Sequence, residues 1–163
     1  MATDAFPIRV VGADAVSAAL QAAPAKIRAA VRRAVEESAA RVLSTAKAKV
    51  SDDVLHVKTG RLRRSLHYVL GGTDTAPSAA IGTNVEYAAI HEFGGQTKAH
   101  VIEALNAKVL AFEKGGVTVF ATRVNHPGSR MPQRSFLRSA LAQEASGIKQ
   151  RIEAAVGGAL PGR

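Results

Sequence analysis

The chain has 163 residues and a mass of 17.0 kDa, and 32 of the residues in its 47% apolar fraction are alanine, so only about 45 larger apolar side chains are left to build a core. The absence of cysteine excludes disulfide frameworks, thiolate metal sites and a cysteine nucleophile, and five Phe, two Tyr and no Trp argue against a base-stacking nucleic-acid surface. The net charge of +9 is unevenly spread: +4 over residues 1–50, +2 over 51–70, −2 over 71–110 and +5 over 111–163. There is no apolar run long enough to span a bilayer and no basic-then-apolar leader at the N-terminus, so no membrane partner and a cytoplasmic setting are expected.

Residues 6–11 read as a short strand, and residues 13–23 as a short helix. Pro24 predicts a break before the longest element, a helix reaching about residue 50. Ile27, Val31, Val35, Ser38 or Ala39, Val42, Ala46 and Val50 recur every three to four residues and form its apolar stripe. The opposite face holds Arg28, Arg32, Arg33, Glu36, Glu37, Arg41 and Lys47, with Glu37 and Arg41 in the favourable i,i+4 order. Residues 51–58 read as a loop, and Thr59 as a cap for a short turn from Arg61 to Leu66.

Strands are expected at 66–70 and 79–82, joined as a hairpin with a mobile tip over 71–77. Tyr87, Ile90 and Phe93, spaced by three, predict a short helix stopped by Gly94 and Gly95. Further strands follow at 101–102, 108–112 and 117–124, the last two forming a hairpin through Gly115 and Gly116. Residues 125–134 read as a loop. A final amphipathic helix, from about 135 to 156, carries Leu137, Leu141, Ile148, Ile152 and Val156 and ends at Gly157 and Gly158, with Pro161 beyond. The class is α+β: a short-stranded, mainly antiparallel sheet packed against a long N-terminal helix and a C-terminal helix, in one domain over 1–163.

Catalytic patterns are missing. His91-Glu92 begins like a zinc-protease motif, but the second His would fall at position 95, which is Gly95. No phosphate-cradling glycine loop and no Gly-x-Ser-x-Gly elbow occurs, and Glu36-Glu37 and Asp52-Asp53 sit in solvated settings. No enzyme activity, no cofactor and no metal are expected, and His91 reads as a hydrogen-bonded packing residue before it reads as a ligand.

Three polar segments, punctuated by glycine or proline, enclose apolar anchors: 58–66, 81–95 and 132–138. Thr59-Gly60-Arg61-Leu62, Tyr87-Ala88 with His91-Glu92-Phe93-Gly94, and Ser135-Phe136-Leu137-Arg138 occur in an order that resembles the tail-component family of long-tailed bacteriophages, also called tail-completion, head-tail joining or virion morphogenesis proteins. The chain departs from that family at Ser135, where Pro is usual before Phe-Leu, and in a longer stretch between Gly95 and Ser135.

The resemblance implies a structural virion or prophage protein of the neck, assembled as a cyclic homo-oligomer between connector and tail tube. Its implied partners are further copies of itself, neck or connector proteins, and tail-tube or tail-terminator proteins. DNA passage without sequence-specific contact is compatible with that role. The implied location is the virion tail or neck, reached from the host cytoplasm during assembly. Arg61, Arg63, Arg64, Arg134 and Arg138 are the candidate interface residues, because guanidinium groups make forked contacts and are enriched at interfaces. Thr59, Gly60, Leu62, Tyr87, His91, Glu92, Phe93, Gly94, Phe136 and Leu137 are the candidate motif and packing anchors. The alternative is a basic nucleic-acid-binding module using Arg32, Arg33 and Arg41, and a third reading is a hydrolase built on His91 and Glu92.

Overall fold

The computed structural model describes residues 24–53, 55, 59–104 and 108–160. The strand expected at 6–11, the helix at 13–23 and Pro161 lie outside the described residues. The rest confirms the α+β class, with a long helix near the start, a long helix at the end and short antiparallel strands between them. The chain divides into two compact units, 1–88 with 134–163, and 89–133.

In the first unit, α1 runs Ala25–Ala48. Pro24 stands just outside it, and the Pro24 carbonyl accepts the Ile27 and Arg28 amides. Its buried face is Ile27, Val31, Ala34, Ser38, Ala39, Val42 and Ala46. Ala34 is buried where Val35, which is half-buried, was expected. A π-helical turn, Lys49–Asp53, extends α1 through part of the expected loop, and the Leu55 amide closes it on the Lys49 carbonyl. That wider turn delivers Val50 and Leu55 into the core.

After α2 (Arg61–Ser65), β1 (His67–Thr73) and β2 (Ala76–Gly82) form a hairpin with Leu70 opposite Ala79 and Thr73 opposite Ala76. The expected seven-residue tip is corrected to a two-residue turn at Asp74-Thr75. The Thr73 hydroxyl accepts the Ala76 amide, supplying a local bond that the low strand propensity of this stretch conceals. Tyr68, Leu70, Pro77, Ala79 and Ile81 alternate onto the half-buried face, and the hairpin packs on α1. Asp74 pairs with Arg32 of α1 at 3.0 Å.

The last helix of this unit, α4, follows α3 (Ala88–Phe93) in chain order and runs Leu137–Ala159 against α1. It continues through Gly157 and Gly158, past the expected stop at 156. Ala159 and Val156 pack with Ile27 and Val31, and this burial outweighs the roughly 1 kcal/mol per glycine lost in a helix interior. The two helices are therefore antiparallel, since Leu137 and Ala140 meet Val42 and Ala46 at the other end.

The second unit begins within α3 (Ala88–Phe93) and, among the described residues, holds three separate two-stranded antiparallel ribbons. β3 (Gly95–Gln96) pairs with β8 (Arg130–Met131), β4 (His100–Glu103) with β7 (Arg123–His126), and β5 (Leu110–Lys114) with β6 (Val117–Ala121). Gly115 and Gly116, at φ of 61° and 81°, make the two-residue turn of the last hairpin, where both central residues need positive φ. The loop expected over 125–134 is corrected: Asn125 and His126 close β7, and Arg130-Met131 form β8 with a partner far back in the chain.

Candidate functional site

The three motif segments are positioned by different local devices. At the first, Gly60 takes a left-handed φ of 69°, and the Thr59 hydroxyl accepts the Arg61 amide at 3.3 Å. The Gly60 carbonyl accepts the Arg64 amide, closing a one-turn helix that aims Leu62 inward and leaves Arg61, Arg63 and Arg64 exposed. The Ser65 hydroxyl spends its single proton on the Leu62 carbonyl at 2.8 Å. The 2.6 Å contact between Ser65 and Thr83 must therefore be donated by Thr83, whose oxygen also accepts the Val85 amide. This chain of bonds fastens the first segment to the start of the second.

In the second segment, Val85 and Ala88 are buried, while Tyr87 is 41% and Phe93 48% exposed. Val85, Tyr87 and Ala88 belong to the first unit and Phe93 to the second. His91 is half-buried, and Glu92 is buried. Gly94 ends α3 with its amide on the Ile90 carbonyl at 2.9 Å and a φ of 70°. A Cβ there would stand 2.8 Å from the Gln133 nitrogen and 3.0 Å from the Met131 oxygen, so both the backbone angle and the close approach of the chain require glycine.

The third segment starts α4. Phe136 has no exposed surface, Leu137 and Ala140 are buried, and Arg134 and Arg138 are exposed. Ser135 holds the turn by accepting the Ser139 amide on its hydroxyl and the Ser139 hydroxyl on its carbonyl.

Leu62, Leu66, Val85, Ala88, Phe136, Leu137 and Ala140 share one core with Val42, Ala46, Val50 and Leu55. The structure thus brings Leu62, Phe136 and Leu137 together as buried anchors, and displays the five candidate arginines on the outside of the segments that carry them. His91, Glu92, Phe93 and Gly94 belong to the other unit. Among the described residues no cluster of three or more metal-ligating side chains occurs, and no described helix is long and apolar enough to cross a membrane.

The sequence reading missed a polar network between the long helices. Arg151 donates from Nε to the Ser38 hydroxyl at 3.0 Å, and its Nη2 lies 3.7 Å from Glu144 Oε2. Thr45 donates to Glu144 Oε1 at 2.9 Å, while Ser38 donates to the Ala34 carbonyl. The available signal was Ser38 itself, a hydroxyl inside an apolar stripe, which needs a partner when buried.

Residues 14–94 match the family described as "Bacteriophage HK97-gp10, putative tail-component". This stretch belongs to a family of phage tail components. The match takes in Thr59-Gly60-Arg61-Leu62 and the segment from Tyr87 to Gly94, and it ends before Ser135-Phe136-Leu137-Arg138. No curated protein and no solved structure matches the chain. The match over residues 14–94 supports a phage tail-related structural protein.

Proposed function

We propose that the chain is a neck subunit of a long-tailed phage, a tail-completion or head-tail joining protein that assembles as a ring between the connector and the tail tube. The observation that carries this reading is the division of labour within the motif segments. Their apolar residues are consumed by one core, while Arg61, Arg63, Arg64, Arg134 and Arg138 remain on the surface, where a neighbouring copy or another virion protein can be gripped by forked hydrogen bonds. A cyclic ring needs two different patches on each subunit that meet head to tail. The role is structural, and bond-making chemistry has no part in it.

An electron-microscopy reconstruction of the particle tests the reading by locating the chain; density in a closed ring at the neck is the expected result. In solution, light scattering on the chain mixed with neck and tail partners is expected to show assembly. A single compact monomer at every concentration, with partners present, would refute it. Replacing Arg61, Arg63 and Arg64 together by Ser is expected to abolish that assembly without lowering thermal stability.

A further inference from the structure

The ribbons β3–β8 and β4–β7 share one register. Gln96 stands opposite Arg130, the Thr97 amide donates to the Ser129 carbonyl at 2.9 Å, and His100 stands opposite His126, so residues 97–100 and 126–129 run past each other through the break between the two ribbons. The ladder is interrupted there by Pro127, which has no N–H to give, and by Gly128, whose φ is 88° and at which a Cβ would overlap the Thr97 carbonyl. Side chains take over at this joint. The Ser129 amide donates to the Thr97 hydroxyl at 2.7 Å, and the Gly128 amide donates to Nδ1 of His126 at 3.0 Å.

The two imidazoles respond differently to a proton. An amide N–H can only donate, so His126 accepts at Nδ1 and, when neutral, carries its hydrogen on Nε2. Nδ1 of His100 lies 3.1 Å from the Lys98 carbonyl, which can only accept, so there Nδ1 carries the hydrogen and Nε2 holds the lone pair. The rings stack with centroids 5.0 Å apart and 29° between their planes. A proton added to His100 at Nε2 leaves its bond to Lys98 intact. A proton added to His126 goes on Nδ1, where it sets two donors against each other, breaks the Gly128 bond and places a second positive charge beside the first.

We propose that His100 and His126 form a proton-operated clasp on this joint, closed while His126 is neutral and released when both rings are charged, which frees the β3–β8 ribbon to bend away from the β4–β7 ribbon. The open joint binds more protons than the closed one, so falling pH favours opening. Four charged residues lie on these strands and in the joint: Lys98, Glu103, Arg123 and Arg130. Lys98 and Arg130 are cations, and Glu103 pairs with Arg123 at 4.0 Å on the face of the β4–β7 ribbon opposite the rings. The carboxylate of the four is thus turned away from the place where the second charge would arise. A metal ion between the rings fits poorly, because His126 spends its Nδ1 lone pair on Gly128 and holds its hydrogen on Nε2.

The test uses the full chain alone and so stands apart from the ring reading. Nitrogen-15 signals of the imidazoles at about pH 7.5 are expected to show His126 bare at Nδ1 and protonated at Nε2, with His100 the reverse. Amide hydrogen exchange, corrected for its intrinsic pH dependence, is expected to lose about tenfold of its protection at Gly128, and about threefold or more at Thr97 and Ser129, between about pH 7.5 and about pH 5, while α1 and α4 stay unchanged. His126→Asn keeps an oxygen that accepts the amide two residues on but takes up no proton, and is expected to hold Gly128 protection within about twofold over the same range. His100→Phe keeps a ring in the stack without its charge and is expected to shrink the loss at Gly128 to about threefold.

A His126 that carries its hydrogen on Nδ1 at about pH 7.5 would overturn the proposal on the unaltered chain, whatever the variants do. So would Gly128 protection that stays within about twofold down to about pH 5, or a full pH response retained by His126→Asn. Parallel loss of protection in α1 and α4 would also sink it, since the whole molecule would then be opening in place of the joint. Each of these outcomes leaves the ring reading standing.

Discussion

The first unit spends its apolar residues on itself and the second leaves them in water. Val42, Ala46, Leu62, Leu66, Val85, Phe136 and Leu137 form a shared core from elements far apart in the sequence, whereas Val101, Ile102, Val117 and Phe120 sit on ribbons too narrow to bury them. The difference teaches that the buried apolar residues described are concentrated in one unit of a short chain, so that the two units depend on different forces. A core of this modest size tolerates little loss, because burial of each large side chain contributes about 1.5–3 kcal/mol against a total stability of only about 5–15 kcal/mol.

The sharpest way to break that contrast is a matched pair of truncations. Phe136→Ala, at a fully enclosed position, is expected to cost about 3–5 kcal/mol in urea unfolding of the whole chain. Phe120→Ala is expected to change the same quantity by less than about 0.5 kcal/mol. Similar losses for both would mean that the second unit has a core after all. Next in size, Gly94→Ala combines a left-handed backbone angle with a collision against the 131–133 backbone, and a local cost of about 2–3 kcal/mol is expected. Hydrogen exchange is the readout: residues 95–96 and 130–131 should open more readily while α1 does not.

Arg151→Ala removes a partner from both Ser38 and Glu144. Each of the Arg151 and Glu144 side chains is 21% exposed, so water compensates in part, and a loss of about 1–2 kcal/mol is expected. A double-mutant cycle with Ser38→Ala, read by denaturant unfolding, is expected to show coupling of about 0.5–1 kcal/mol; additive effects would mean the two side chains act independently. The smallest effect belongs to Asp74→Asn at the hairpin tip, where both members of the ion pair with Arg32 are well exposed. A shift under about 1 kcal/mol, removed by added salt, is expected in the melting curve.

Legibility in the sequence followed the range of the interactions. α1 and the turn that extends it could be read from Ile27 to Val50 because their periodicity is local, and the stop at Gly94 because a left-handed cap is a property of a few neighbouring residues. Phe136 and Leu137 stood out as the opening of an apolar stripe. The pairing of Gly95-Gln96 with Arg130-Met131 was invisible, since two-residue strands have no period and the partner lies 34 to 36 residues away. The end of α4 was misplaced for the converse reason: glycine propensity is a local term, and the burial of Ala159 on Ile27 and Val31 that overrides it is not. The Arg151 network escaped because its members are separated by up to 113 residues.

The antiparallel seating of Ala159 beside Ile27 has a practical corollary for anyone imaging the particle. The two boundaries of the described helix pair, near Pro24 and near Leu160, emerge at one pole of the first unit, with Leu137 and Val42 at the other. A fluorescent or gold marker fused at either boundary would therefore report the same pole. In the proposed assembly, two such markers landing on one side of a tomographic average would give the subunit's up-and-down orientation before any side chain is resolved.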